Sequence, residues 1–140
     1  MHENYKNSYK STEKELVSLA VYNVGYQKCD PQYQWGPGVR DHYLIHHIIA
    51  GKGCLKVKQT SFQLKAGDSF LIYPDTEASY IADVKDPWEY AWVGFNGSDA
   101  PIILKATDFT PTCPVITNTP YGKELTQQLR HIYEVRGSDF

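Results

Sequence analysis

The sequence predicts a mainly β domain, a sandwich or barrel of short strands followed by a C-terminal helix, and three observations carry that expectation. First, "LVSLAVYNVGY", "HYLIHHIIA", "CLKVK", "SFQLK", "DSFLIY", "ASYIA" and "WEYAWVGF" are short and rich in β-branched and aromatic residues. Second, "AGKG", "KAGD", "YPDT" and "VKDP" stand between them, and their Gly, Pro and Asp residues supply turn conformations. Third, beyond the stretch "TPTCPVITNTP" the apolar spacing changes from that of a strand to that of a helix.

Taken in order, residues 1–15 carry only Tyr5 and Tyr9 as apolar anchors, the composition of a flexible N-terminal arm. Order is expected from about Leu16, opening a barrel over 16–110. In "CLKVK", Leu55 and Val57 alternate with Lys56 and Lys58, and in "FQLK" Phe62 and Leu64 point one way, as in half-buried strands. Trp88, Tyr90 and Trp92 share strand parity and are expected to face the same side. Over 111–140 a helical segment is expected. Thr119 and Pro120 make a cap and first-turn pair, after which Leu125, Leu129, Ile132 and Tyr133 share one face of a helix from about Pro120 to Val135. That face packs either on the barrel or on a second copy of the chain.

A chain of 140 residues fits one domain with a real core. Lys plus Arg number 14 against 16 Asp plus Glu, a formal charge of −2, and no segment forms the dense basic stripe that neutralises phosphates. Direct nucleic-acid binding by these residues is therefore disfavoured. No apolar run is long enough to cross a bilayer and no export signal is visible, so a cytoplasmic location is expected. Cys29, Cys54 and Cys113 are odd in number and lack C-x-x-C spacing, which speaks against a disulfide framework and a cysteine zinc site.

The stretch "DHYLIHHIIAGKG" contains three histidines and raises the question of a metal. Together with "KAGDSFLIYP" and the strand count, it resembles the cupin class of jelly-roll barrels. Metal-binding cupins supply a His-x-His pair and a glutamate before the first glycine turn and a later histidine, because a catalytic metal needs three or four converging donors. Aligned on Gly51, the glutamate position holds Leu44 and the late histidine position holds Ala78. His42 and His46 fall on one face and His47 on the other, with no carboxylate to complete them, so no metal and no cofactor is expected. Asp41 and His42, as neighbours along a strand, are expected to point apart and to make a poor dyad.

A barrel without metal still encloses a lined interior. Tyr80, Tyr90 and Trp92 offer flat apolar platforms and hydroxyl partners, a mixture that suits a carbohydrate, although each ring also has the simpler reading of filling the core. Arg40 and His42 stand where a strand enters the barrel and read as polar contacts at its mouth or as a solvated rim pair.

Taken together, "RDHYLIHHIIAGKG", "FQLKAGDSFLIYPDTEASYIAD" and "PWEYAWVGFNG" resemble the N-terminal effector-binding domain of AraC-type bacterial transcription regulators, especially the sugar-utilisation regulators. The resemblance implies a cupin-like barrel that binds a small carbohydrate, helices that pair two subunits, and a separate helix-turn-helix domain that binds DNA and is absent from this chain. On that resemblance the ligand-binding set is Arg40, His42, His46, Tyr80, Tyr90 and Trp92, with Trp92 at the sugar-stacking position. Leu125, Leu129, Ile132 and Tyr133 form the homodimer face. The mechanism implied is allosteric and non-catalytic, the arm of residues 1–15 folding over the mouth of the barrel. The alternative is a metal-free cupin enzyme, such as a sugar epimerase or isomerase, which needs a His base held by a carboxylate and a Tyr acid.

Overall fold

A computed structural model describes residues 7–10, by their backbone, and residues 20–118. Among the described residues, ten strands form two antiparallel sheets. The larger has the order β1 (Asn7–Lys10), β2 (Ala20–Lys28), β9 (Glu89–Asn96), β4 (Tyr43–Ala50), β7 (Ser69–Ile72) and β10 (Val115–Ile116). The smaller has the order β3 (Gln34–Gly38), β8 (Ala78–Ala82), β5 (Lys52–Val57) and β6 (Thr60–Lys65). From β4 to β9 the chain runs larger, smaller, smaller, larger, smaller, larger, so most connections cross between sheets and the sandwich is wound as a jelly roll.

Alternation decides which side chains lie between the sheets. On β4, Leu44, His46 and Ile48 point inward, and their cross-strand partners on β9 are Gly94, Trp92 and Tyr90. Those partners in turn oppose Asn23, Gly25 and Gln27 on β2. Phe70 and Ile72 on β7 continue the rows opposite His46 and Leu44. The smaller sheet answers with Tyr80, flanked by Trp35 on β3 and Leu55 on β5. The main core therefore holds Leu44, Ile48, Leu55, Leu64, Phe70, Tyr80, Trp88, Tyr90 and Trp92.

The opposite face of the larger sheet is covered by a short helix, α1 (Ala100–Lys105). Leu104 and Phe109 there join Leu71, with Tyr43, Ile45, Tyr73, Phe95 and Ile116 packed around them. His47 lies on this face, as alternation requires, and its Nδ1 shares a 2.9 Å hydrogen bond with the Ser69 hydroxyl.

The structure adds detail within two of the expected segments. Within the segment foreseen as a flexible arm, Asn7–Lys10 is a strand that pairs with β2 from Tyr26 to Asn23. The segment foreseen as helical, 111–140, begins instead with extended chain and β10, whose Val115 and Ile116 pair with Phe70 and Ser69. Leu71 also donates its N–H to the Pro114 carbonyl, so residues 114–116 close the edge of the sheet and belong to the barrel. The helix expected from Pro120, with Leu125, Leu129, Ile132 and Tyr133, lies outside the described residues. The strands expected within "HYLIHHIIA", "CLKVK", "SFQLK", "DSFLIY", "ASYIA" and "WEYAWVGF" are all present.

Candidate ligand-binding site

The inward rows of β2, β9 and β4 meet Tyr80 in a cluster of rings. His46 is at its centre, stacked on Phe70 at 4.5 Å and edge-on to Tyr90 at 4.6 Å and Tyr80 at 5.0 Å, with Trp92 5.7 Å away. It is thus a wall of the core, not a group at the mouth. Tyr90 lies 5.9 Å from Trp92 and 5.8 Å from Trp88, all in the edge-on or tilted arrangements that suit ring quadrupoles.

The indoles occupy this interior because glycines make room. A Cβ on Gly25 would sit 2.0 Å from the Trp92 ring, and one on Gly53 would sit 2.5 Å from Trp88. Trp92 is also held by a hydrogen bond, since its Nε1–H donates to Asn23 Oδ1 at 3.0 Å.

Arg40 reaches the cluster from the link between β3 and β4. Its guanidinium lies 4.1 Å from the Trp35 ring centroid, a cation–π contact, and it donates to the Tyr80 hydroxyl at 3.5 Å. Trp35 and Tyr80 are themselves stacked at 5.4 Å. Burial pushes the Tyr80 phenol up to about 12 despite the nearby Arg40 charge, so it stays a hydroxyl at any physiological pH. Burial likewise raises Tyr90, which donates to Gln27 Oε1, and moves Cys29 to about 11. Among the described residues, Gln27 Nε2, Arg40 Nε and Trp88 Nε1 are buried N–H donors that meet no protein acceptor. Such donors favour a guest that presents oxygen lone pairs.

Asp41 and His42 do pair, contrary to the expectation that they point apart. The pair precedes β4, where alternation does not apply, and His42 Nδ1 lies 2.9 Å from Asp41 Oδ1. Tyr22 packs on the His42 ring at 4.3 Å, and Asn23 Nδ2 approaches its Nε2 at 3.3 Å.

Of the six residues expected to bind ligand, the structure brings Arg40, Tyr80, Tyr90, Trp92 and His46 into one cluster and joins His42 to it through Asn23. Trp35, Asn23, Gly25 and Gln27 were not foreseen. Leu44 and Ala78 are buried core residues, and among the described residues no group of three metal-ligating side chains converges. A separate cleft of about 200 Å3, with a mixed polar and apolar lining, lies between the β5–β6 hairpin, the end of β7 and residues 111–114, but it lacks this combination of rings and donors.

Residues 21–138 match the model of the AraC-like ligand binding domain. The chain belongs to that family. It is 44% identical over 102 residues to the Msm operon regulatory protein of Streptococcus mutans, covering 73% of this chain and 37% of that protein. It is 38% identical over 90 residues to the raffinose operon transcriptional regulatory protein of Pediococcus pentosaceus, covering 63% and 32%. It is 28% identical over 89 residues to the lactose operon transcription activator of Staphylococcus xylosus, covering 64% and 32%. The chain thus spans about a third of the length of these relatives. Among solved structures, a cupin 2 conserved barrel protein of Salinispora arenicola aligns with TM-score 0.53 at 11% identity, over 73% of this chain and 83% of that one. The YhaK protein of Escherichia coli aligns with TM-score 0.56 at 12% identity, over 67% and 45%. At such identities they establish the cupin barrel and nothing further. Among the described residues no helix is long and apolar enough to cross a membrane.

Proposed function

We propose that this AraC-like domain is the effector-sensing part of a sugar-responsive transcription regulator, and that its effector is a small carbohydrate held in the barrel. The observation that carries the reading is the juxtaposition of Trp92, Tyr90 and Tyr80 with the donors of Arg40 and Gln27. Rings give the C–H faces of a sugar an apolar platform, and N–H groups serve its hydroxyl oxygens. The operon names of the relatives, two of which specify raffinose or lactose, point to the same ligand class. Binding acts by shifting the equilibrium between two arrangements of a homodimer, which needs a coupling of only about 1–3 kcal/mol. Leu125, Leu129, Ile132 and Tyr133 form the dimer face in this reading. DNA is contacted through a domain outside this chain, in the cytoplasm, and no chemistry is performed.

The Asp41–His42 pair favours a second reading, a metal-free sugar epimerase with His42 as base. Against it, the lone pair on His42 Nε2 already faces the Asn23 amide and is not presented to a substrate. A thermal melt against mono- and oligosaccharides, with divalent metals and a chelator, tests the proposal. Sugar at a hundred times its dissociation constant adds roughly 2.7 kcal/mol, and the account requires such stabilisation without metal. Stabilisation by metal alone, reversed by chelator, overturns it.

A further inference from the structure

We infer that Asn23 is a positioning residue for the ligand-facing indole, fixing Trp92 at the end of a hydrogen-bonded chain that runs through His42 to Asp41. The inference rests on the proposed contact between Trp92 and the sugar, and it follows from donor chemistry. An indole nitrogen can only donate, so the Asn23 atom 3.0 Å from Trp92 Nε1 is the acceptor, Oδ1. That orientation turns Asn23 Nδ2–H2 toward His42 Nε2 at 3.3 Å, which must accept. His42 then carries its proton on Nδ1 and donates it to Asp41 Oδ1 at 2.9 Å. Each link determines the next, and this one proton arrangement satisfies all three bonds.

The backbone is arranged to permit the chain. A β-bulge between Val21 and Asn23 brings Asn23 opposite Gly94. At Gly94 a Cβ would meet His42 at 2.9 Å and the Asn23 amide at 3.0 Å, so only glycine leaves the chain its path. Two residues along β2, Gly25 leaves the gap that the indole ring itself occupies. The chain begins at the exposed Asp41 carboxylate and ends at Trp92, of which 4% is exposed, so it links solvent to the buried face.

The groups facing His42 among the described residues are the Asp41 carboxylate, the Tyr22 ring and the Asn23 amide. A proton added at Nε2 would oppose the Asn23 N–H2, so the amide must turn and release the indole.

The test uses the 15N-labelled chain without ligand, whose three tryptophans give three indole N–H resonances, that of Trp92 assigned with Trp92→Phe. Asn23→Ala is expected to move the Trp92 signal alone and to speed its solvent exchange at least tenfold, with raffinose affinity falling at least fivefold. Asn23→Asp keeps an acceptor for the indole and sets a second oxygen against His42 Nε2. The Trp92 signal should then stay in place while His42 holds its Nε2 proton to higher pH. A Trp92 signal unmoved by Asn23→Ala, or displaced equally by both variants, overturns the inference. Should Asn23→Ala not fold, the Asn23→Asp titration decides, since an unshifted His42 is incompatible with the chain. If the indole signals behave as expected but no sugar binds, the sensor reading fails and the positioning role stands.

Discussion

Replacing Gly25 by alanine perturbs the candidate site by a single methyl group, and the geometry sets the size of the effect. The new Cβ would lie 2.0 Å from Trp92 Cζ2, 2.3 Å from Cε2 and 2.5 Å from Cη2. Carbon atoms in contact need about 3.5–4.0 Å, so the indole must retreat by more than an ångström. On that scale the 3.0 Å bond to Asn23 breaks, and the ring is driven toward Tyr90 and His46. Overpacking of a dense core costs about 1–3 kcal/mol, and the lost buried hydrogen bond adds roughly 1 kcal/mol. The sum, about 2–4 kcal/mol, is measurable by urea unfolding followed by fluorescence, and it corresponds to a fall in Tm of roughly 8–15 °C. Because the ring proposed to stack on the sugar is displaced, affinity should fall at least tenfold in titration calorimetry on the folded fraction. A Gly25→Ala protein within ~0.5 kcal/mol of the parent and with unchanged affinity would refute the packing argument, since surface-like substitutions have effects of that size.

Other perturbations separate the site from the scaffold. Arg40→Ala removes the guanidinium over Trp35 and its bond to Tyr80, so sugar affinity should drop tenfold or more while the melting temperature changes little; a large loss of stability with intact binding would reassign Arg40 to the scaffold. Asp68→Ala leaves the backbone N–H groups of Lys65 and Asn118 without their carboxylate acceptor, which should cost about 2–3 kcal/mol in chemical unfolding. Tyr80, pushed up to about 12 by burial, makes the folded state resist ionisation that the unfolded chain undergoes near its ordinary value of 10.0. Its contribution is complete below pH 10 and is lost between about 10 and 12, so Tyr80→Phe should flatten the alkaline limb of a stability profile. Burial holds His47 below its ordinary 6.5, with Asp68 opposing in part, so the unfolded chain takes up a proton that the folded one refuses. Stability from this source is present above about pH 6.5 and falls as the pH drops toward the depressed folded value; His47→Gln should remove that slope.

How far the sequence disclosed this site depended on the periodicity of each strand. β5 and β8 alternate in burial, and the shared parity of Trp88, Tyr90 and Trp92 put these rings on one side, where all three are buried. β2 hid its role because its inward positions are Asn23, Gly25 and Gln27 while the apolar Val24 and Tyr26 lie on the other face. Polar and small residues are inward there because they hold and accommodate rings, and the bulge after Val21 breaks the count as well. β3 was missed because Gly36 and Pro37 interrupt it, with Gly36 at φ +86 close under the Ala78 carbonyl, where a Cβ would sit 2.6 Å away. Trp35 went unnoticed with it. Helix α1 has six residues and β10 two, both too short to establish a period. The expected separation of Asp41 from His42 failed because alternation was extended beyond the start of the strand. Local periodicity thus reported the walls of the barrel, whereas the groups that orient Trp92 come from bulges, glycines and strand ends.

The central claim is that a carbohydrate binds against Trp92 and Tyr90 inside the barrel. Its most direct test is calorimetric titration of raffinose and lactose into the parent chain and into Trp92→Ala, with folding of both verified by circular dichroism. The account predicts saturable binding of at least one sugar by the parent and a loss of at least tenfold in Trp92→Ala. Equal affinity in the two proteins would contradict it.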